Sequence, residues 1–500
     1  MAELRLYNTL ARRKQRFEPL EAGRAGIYTC GPTVYSHQHL GNLRTYVFAD
    51  LLGRALRWFG FQVRHVINIT DVGHLTDDAD AGEDKMELAA RGAGLSISEI
   101  ADKWTRIFKQ DLKKLRVLEP AVWCKATEHV PEQVRMIAEL EEKGFTYRAE
   151  DGIYFDVSKD PNYGELARLD LETQRSQERI ASAGAKRHPA DFALWKFSPG
   201  EGPRRQMEWE SPWGRGFPGW HIECSAMSTR YLGSSFDIHT GGIDHVPVHH
   251  TNEIAQSENA LGVRPWVRVW MHAGWLMLDG GKLSKSAGGA PTLDDLIAAG
   301  IEPEAFRYFA LGAHYRQQAH LTEDGLRRAQ RSWRRLCRHL EVWGGARAVP
   351  GGAAAAPRSA EAELCRQRFA AALADDLNAP RALAAVWQTV RSDSLADAEK
   401  AALLTDFDQV LGLGLEAVVG IEPDESSSTG DSGPVIVFGA EVAPEQREGI
   451  RELIRERESA RRGRDWQRAD AIRDRLAEDG FALEDRSDQT VVRRAETGRA

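Results

Sequence analysis

Cys30, Cys224, His249 and Glu253 are four potential ligands for a metal ion. The stretches that carry them also contain His39-Leu40-Gly41-Asn42 and Lys282-Leu283-Ser284-Lys285-Ser286. Two thiols, an imidazole and a carboxylate suit zinc. The two short strings suit a nucleoside triphosphate. His39 can donate to phosphate oxygens as charge develops, and Gly41 lets a base or phosphate approach the backbone. Lys282 and Lys285, three apart and bracketed by Gly280-Gly281 and Gly288-Gly289, can close over a polyphosphate and neutralise a departing pyrophosphate. A site that combines both chemistries activates something that zinc can recognise, and a thiol is the natural candidate.

Each feature also has a plainer reading. Alone, His39 reads more simply as an incidental histidine beside a helix cap, and a lone Lys-x-x-Lys string as solvated lysines on a turn; the two strings become informative together. His249 and Glu253 are four apart in a segment, His249–Leu261, that reads as a helix closed by Gly262, so both fall on one face as metal ligands require. Spacing alone equally allows a surface His–Glu pair, with Cys30 and Cys224 as core thiols.

These residues need a frame to hold them. Gly26-Ile27-Tyr28-Thr29 reads as a strand, Leu43, Val47, Leu51, Leu52, Leu56 and Phe59 fall near helical spacing until Gly60, and Phe61–Ile69 is again strand-like. Two strands flanking a helix predict a parallel sheet whose ligands sit at the carboxyl ends of its strands. Residues 126–215 are more polar, with turns at Asp160-Pro161-Asn162 and Ser211-Pro212, and read as an insertion; Phe217–Ser286 resumes the apolar, Gly-rich style. After Pro291 the pattern is helical: Leu326, Ala329, Trp333, Leu336 and Leu340 form one stripe, surrounded by Arg327, Arg331, Arg334, Arg335 and Arg338. A Gly/Ala/Pro-rich linker, 344–357, and an acidic, Ser-rich one, 422–433, bound a further helical stretch. The chain then finishes with a charged helix around Arg451–Leu476 and a strand-like end at Thr490–Val492.

Composition narrows the class. A chain of 500 residues with 42% hydrophobic content and mean hydropathy of −0.46 is enough for several packed domains. It has no apolar run long enough for a membrane span, and its first 20 residues do not read as a secretory leader. Five cysteines without close pairing point to a reducing compartment, and so to the cytoplasm. A net charge of −8 gives no global pull toward nucleic acid, so any such surface is a local patch.

The residues resemble the class I aminoacyl-tRNA synthetases, whose HIGH and KMSKS signatures are matched by the His39 and Lys282 strings, and more closely the cysteinyl-tRNA synthetases. That likeness runs along nearly the whole chain: Tyr7-Asn8-Thr9-Leu10, Cys30-Gly31-Pro32-Thr33-Val34-Tyr35, Asn68-Ile69-Thr70-Asp71, Pro218 to Met227, His249 to Gln256, Asp375-Asp376-Leu377-Asn378 and Leu483-Glu484-Asp485. Three departures stand out: Asn42 replaces the second histidine of the first signature, Leu283 replaces methionine in the second, and Thr251 stands where glutamate is common. The Asp71–Met86 stretch is also unlike the commoner pattern.

The resemblance implies an α/β fold: a Rossmann-like parallel-sheet catalytic domain in two halves, 1–125 and 216–290, split by a connective insertion, 126–215. A stem-contact helical region (291–343), a helical tRNA-binding domain (358–421) and a small C-terminal anticodon-binding unit (434–500) follow. It implies one zinc per chain on Cys30, Cys224, His249 and Glu253, with Gly31, Thr70 and Trp220 lining a cysteine pocket. It implies ATP, with magnesium, contacted by His39, Gly41, Gly242, Asp244 and Lys285, and catalysis by His39, Asn42, Lys282 and Lys285. The expected partners are ATP, L-cysteine and tRNA(Cys), with no membrane, and the expected state is a monomer. Two rivals are a ligase that joins cysteine to an amino sugar, which lacks the portion after Pro291, and a non-catalytic RNA-binding relative.

Overall fold

In this computed structural model the described residues are 3–73, 85–169, 186–198, 206–278, 290–343, 359–415, 435–438, 444–463, 465–485 and 489–494. Lys282, Lys285 and Leu283, both linkers and most of the Asp71–Met86 stretch lie outside them. The chain divides into two compact units, Met1–Ala417 and Val418–Ala500.

The first unit opens with an antiparallel pair, β1 (Arg5–Asn8) and β2 (Arg13–Arg16). Then come β3 (Arg24–Thr29), α1 (Leu40–Trp58), β4 (Gln62–Ile69), α2 (Lys85–Ala93), α3 (Ile97–Lys114) and β5 (Val122–Lys125). The insertion supplies α4 (Val130–Glu142), β6 (Thr146–Arg148), β7 (Gly152–Phe155), β8 (Phe192–Phe197) and β9 (Gly216–Pro218). The sheet resumes with α5 (Trp220–Leu232), β10 (Phe236–Gly242), α6 (His249–Leu261) and β11 (Val267–Ala273). The central sheet is five-stranded and parallel throughout, in the order β11-β10-β3-β4-β5. Its middle strand is β3, so the residues leaving β3 sit at the centre of the carboxyl edge, as the sequence predicts.

Local sequence explains the frame. β4 alternates at its exposed start and is buried at every position from His65 to Ile69, as a strand covered on both faces must be. Gly60, at φ 95°, lets the chain turn out of α1, and Gly262, at φ 68°, closes α6 in the left-handed conformation.

The insertion folds as an antiparallel sheet, β6-β7-β8-β9, packed on α4 around Val130, Ile137, Leu140, Ile153, Phe155 and Trp195. Gly216-Phe217-Pro218, which reads like the catalytic domain, pairs with β8, Trp195 opposite Pro218. A Cβ at Gly219 would lie 1.9 Å from the Ala193 carbonyl oxygen, so this residue must be glycine for β9 to pass directly into α5 and Trp220.

Downstream lie β12 (Leu276–Leu278), α7 (Leu293–Ala298), α8 (Pro303–Leu311), β13 (Ala319–Leu321), α9 (Glu323–Val342), α10 (Ala360–Ala374), α11 (Ala379–Val390) and α12 (Asp397–Leu411). All five stripe residues of α9 are buried. Its arginines are largely engaged within the protein: Arg327 pairs with Glu323 at 2.8 Å, Arg334 with Glu302, and Arg335 lies over the Trp387 ring at 4.1 Å.

A buried ion pair ties this helical part to the sheet. Arg307 on α8 and Asp50 on α1 are both fully buried, with Nη2 donating to Oδ2 at 2.5 Å. Arg307 also donates to the carbonyls of Leu411 and Leu115, while Asp50 accepts from Arg54 and from the Leu118 backbone. Burial raises the Asp50 carboxyl, but Arg307 and Arg54 outweigh it and hold it below its usual range.

In the second unit, β14 (Val435–Phe438), β15 (Phe481–Asp485) and β16 (Gln489–Arg494) form a sheet in the order β14-β16-β15, and α13 (Pro444–Arg462) and α14 (Trp466–Glu478) pack on it through Ile450, Ile454, Ile472 and Leu476. The single helix expected around Arg451–Leu476 is therefore two. Gly463 interrupts it, and Asp465 caps the second by accepting from the Arg468 N–H.

Removing one member of the Asp50–Arg307 pair leaves a buried, uncompensated charge. Asp50→Ala is expected to cost about 3–5 kcal/mol in urea unfolding. A loss below about 1 kcal/mol would show that water reaches Arg307 readily.

Candidate functional site

The four predicted ligands converge from three parts of the chain. Cys30 leaves β3, Cys224 lies on the buried face of α5, and His249 and Glu253 share one face of α6. All four are buried and their donor atoms lie within 4.8 Å of one another. Cys30 Sγ is 3.9 Å from Cys224 Sγ and 3.8 Å from Glu253 Oε1, and His249 Nε2 is 2.8 Å from the same Oε1. The reading of a surface His–Glu pair is therefore overturned by burial.

The electrostatics of the cluster are mutually dependent. Burial raises the Cys30 thiol well above its ordinary range, whereas the hydrogen bond shared with Cys30 holds the Cys224 thiol below it. Burial disfavours a charged His249, yet Glu253 and Cys224 raise it to about 10. Burial likewise opposes ionisation of Glu253, but His239 and His249 hold its carboxyl well down. Two thiols, an imidazole and a carboxylate gathered in a buried cluster fit a zinc-type ion in both donor chemistry and number.

A shell of histidines that the sequence reading missed surrounds this set. His221 Nδ1 is 3.0 Å from His249 Nδ1, and His239 Nε2 is 2.9 Å from Glu253 Oε2. On the other side run Thr9 Oγ1 to His272 Nδ1 at 2.8 Å, His272 Nε2 to His250 Nδ1 at 2.7 Å, and His250 Nε2 to Cys30 Sγ at 3.3 Å. One set of tautomers satisfies the whole chain. The Thr9 hydroxyl donates to His272, His272 donates to His250, and His250 donates to the sulfur. Burial lowers His250 and His272 well below the usual imidazole range, so both are neutral links. Cys30, His239, His250 and Glu253 also form a second possible ligand set, overlapping the first. The signal in the sequence was the recurrence of His in Phe236–Gly242, His249–His250 and Val267–Ala273, segments distant from one another in the chain.

The residues expected around the substrate are distributed along the same sheet edge. Trp220 begins α5, half-buried, with its ring centroid 4.4 Å from that of His249. Gly31 donates its N–H to Asn68 Oδ1 at 2.7 Å, and a Cβ there would fall 1.5 Å from the Asn68 carbonyl oxygen. Asn68 Nδ2 in turn donates to the Thr70 hydroxyl at 3.1 Å. Asn68 thus organises both expected pocket residues.

His39 caps α1. Its Nδ1 accepts the Asn42 N–H at 3.2 Å, and its own N–H donates to Asn42 Oδ1 at 3.3 Å, a reciprocal capping box. With Nδ1 accepting, the ring proton of the neutral imidazole sits on Nε2, and burial lowers the His39 pKa. Asn42 therefore has a hydrogen-bonding role that starts with the helix itself. Gly41 is small for the same reason: a Cβ would meet the His39 ring at 2.9 Å. Asp244, largely exposed in the turn after Gly242, is close enough to His39 to favour its charged form.

Lys282 and Lys285 lie outside the described residues, but the chain on both sides of them is anchored at this mouth. Leu276 comes within 4.0 Å of a Cβ built on Gly41, and Pro291 accepts the Leu40 N–H at 2.9 Å. Arg44, buried on α1, fixes the approach by donating to the carbonyls of Gly274, Trp275, His314 and Gln317.

A parallel sheet with this strand order and a histidine capping its first helix fit a class I aminoacyl-tRNA synthetase. Residues 16–331 match the family described as tRNA synthetases class I (C) catalytic domain, and residues 443–493 match the cysteinyl-tRNA ligase anticodon binding domain. A cysteine–tRNA ligase of Burkholderia lata is 48% identical over 96% of this chain and 95% of its own, and that of Treponema denticola is 41% identical over 98% and 99%. The chain belongs to the cysteine–tRNA ligase family, and it is a ligase. Among solved structures, a Mycobacterium tuberculosis methionyl-tRNA synthetase with methionyl-adenylate shares the fold. It has a TM-score of 0.52 and 15% identity, covering 78% of this chain and 90% of its own.

Gly41→Ala tests the capping geometry. The added Cβ must push the His39 ring off the Asn42 N–H, and ATP–pyrophosphate exchange is expected to fall at least about tenfold with helix content unchanged. Exchange at the wild-type rate would mean that the ring is not needed in its capping position.

Proposed function

We propose that this protein activates L-cysteine with ATP and transfers it to the 3′ end of tRNA(Cys), with one zinc ion held by Cys30, Cys224, His249 and Glu253. The observation that carries this reading is the burial of those four side chains beside the Trp220 ring, on the sheet edge that also holds His39. Bound there, zinc would supply a soft Lewis acid with a position open to sulfur.

The chain's own residues account for the rest. Trp220, Gly31 and Thr70 shape a pocket for a small amino acid, and the second-layer histidines hold the donors in orientation. The cysteine carboxylate attacks the α-phosphorus of ATP, giving cysteinyl adenylate and pyrophosphate. The terminal ribose hydroxyl of tRNA then takes the acyl group and releases AMP. His39 Nε2–H donates to phosphate oxygens as negative charge grows, Gly41, Gly242 and Asp244 receive the nucleotide, and Asn42 keeps His39 in place. Lys282 and Lys285 neutralise the departing pyrophosphate, magnesium accompanies the triphosphate, and positioning with charge stabilisation supplies the rate.

The anticodon-binding match in the second unit supports tRNA over an amino sugar as the acyl acceptor. The helical parts and that unit serve as tRNA-binding domains along the boundaries given above. No helix among the described residues is long and apolar enough to cross a membrane. The proposed enzyme is cytoplasmic and monomeric. Cysteine-dependent ATP–pyrophosphate exchange followed by charging of tRNA(Cys) tests the activity, and transfer to an amino sugar instead of tRNA would refute it.

Elemental analysis is expected to give one zinc per chain, lost in Cys224→Ser and His249→Ala together with cysteine affinity; active protein without zinc would sink the metal assignment. Serine offers no thiolate, and packing alone separates it from cysteine by only about 1–3 kcal/mol. Selection through sulfur should raise this to at least about 10⁴-fold in exchange, roughly 5.5 kcal/mol. Comparable exchange with serine would point to a pocket that reads shape.

A further inference from the structure

Tyr28 is fully buried on β3, and its hydroxyl has no hydrogen-bond partner among the described residues. A buried, unpaired hydroxyl costs stability, so its retention needs a reason. Side chains two apart on a strand share a face, which puts Tyr28 on the side of Cys30, while Thr29 turns the other way to meet His65 and Thr240. On the Tyr28 face the ring packs edge-on against His239 at 5.1 Å, in one cluster with Cys30, Cys224, Val66 and Phe236. Cys30 and Cys224 both belong to that cluster, and Cys30 already has His250 Nε2 at 3.3 Å. Tyr46, the other tyrosine beside these thiols, has its hydroxyl satisfied by the Cys30 carbonyl at 3.2 Å.

We propose that Tyr28 is a positioning residue of the metal centre, whose hydroxyl donates a hydrogen bond to the Cys224 thiolate once a metal ion is bound. The inference rests on the zinc reading above. A thiol is a poor acceptor, so without metal the hydroxyl finds little to bond. A metal-bound thiolate carries concentrated charge in a dry interior and is a strong acceptor. The donor orients the sulfur lone pairs, as outer partners of metal ligands do, and lowers the electron-donating power of that sulfur. Cys30 takes its hydrogen bond from His250, so each sulfur has its own donor from a different strand.

The test is Tyr28→Phe in the full chain, which removes one oxygen and keeps the ring. Zinc affinity, read by chelator competition, is expected to weaken about tenfold or more. In the cobalt-substituted protein the sulfur-to-metal charge-transfer band should move to lower energy, because the thiolate loses its donor. The metal-free variant should melt no lower than metal-free wild type. Phe236→Leu, which trims the same packing and keeps the hydroxyl, should leave the cobalt band in place. Unchanged zinc affinity and an unmoved band in Tyr28→Phe would overturn the inference, as would an equal loss of stability with and without metal. Wild-type protein that takes up neither zinc nor cobalt would overturn the zinc reading as well, whereas wild type that binds both while Tyr28→Phe matches it would overturn this inference alone.

Discussion

Two thiols, a carboxylate and an imidazole packed within 4.8 Å in a dry interior set the terms for the rest of this structure. In a medium of low polarity such groups cannot all carry charge unless something compensates them, and burying them bare is expensive. The chain compensates in layers. Glu253 and His249 hold each other charged, Cys30 and Cys224 share a hydrogen bond, and His250 and His272 remain neutral so that they add donors without adding charge. A divalent cation would complete the arrangement, because it would stabilise the thiolates that burial opposes.

That cluster needs a scaffold that does not yield, since its donors come from β3, α5 and α6. The parallel sheet provides it by ending β3 and β10, which lead to Cys30 and to α6, at one edge, while α5 enters from β9 of the insertion sheet. Asn68 braces the Cys30–Gly31 turn, Gly219 lets the insertion sheet hand Trp220 into place, and the Arg307–Asp50 pair fixes α1 against the helical region. The buried pair holds a helix that begins at His39, so the far end of α1 helps to set the near end.

Much of this was legible in the sequence because it is local or compositional. The strand–helix–strand pattern of residues 26–69, the i, i+4 pairing of His249 and Glu253, the stop at Gly262 and the α9 stripe all depend on neighbours a few positions apart. The resemblance added the assembly of the four candidate ligands. What escaped was non-local. Nothing in their own segments says that His239, His250 and His272 meet, that Asn68 bonds to Gly31, or that Asp50 finds Arg307 257 positions away. Gly216-Phe217-Pro218 reads like the catalytic domain yet pairs with the insertion sheet, because a three-residue strand is defined by its partner and not by its composition. Local order also supplied the capping function of Asn42, which a comparison of signatures alone presents only as a lost histidine.

The two halves of the site follow opposite physical logic. At the end with the four candidate ligands, the donors are buried and pre-paired, so the proposed selection would act through a ligand that supplies sulfur. At the nucleotide end, His39, Asp244 and the anchored flanks of the lysine loop lie at an open mouth, where charge can be met as it develops and released afterwards. A buried nucleotide site would hold pyrophosphate too firmly, and an exposed metal site would let water compete with the thiol. β3 and α1 join the two: the chain leaves β3 at Cys30 and reaches His39 nine residues on. In the proposed function, selection of the substrate and its activation would both depend on this short stretch of backbone.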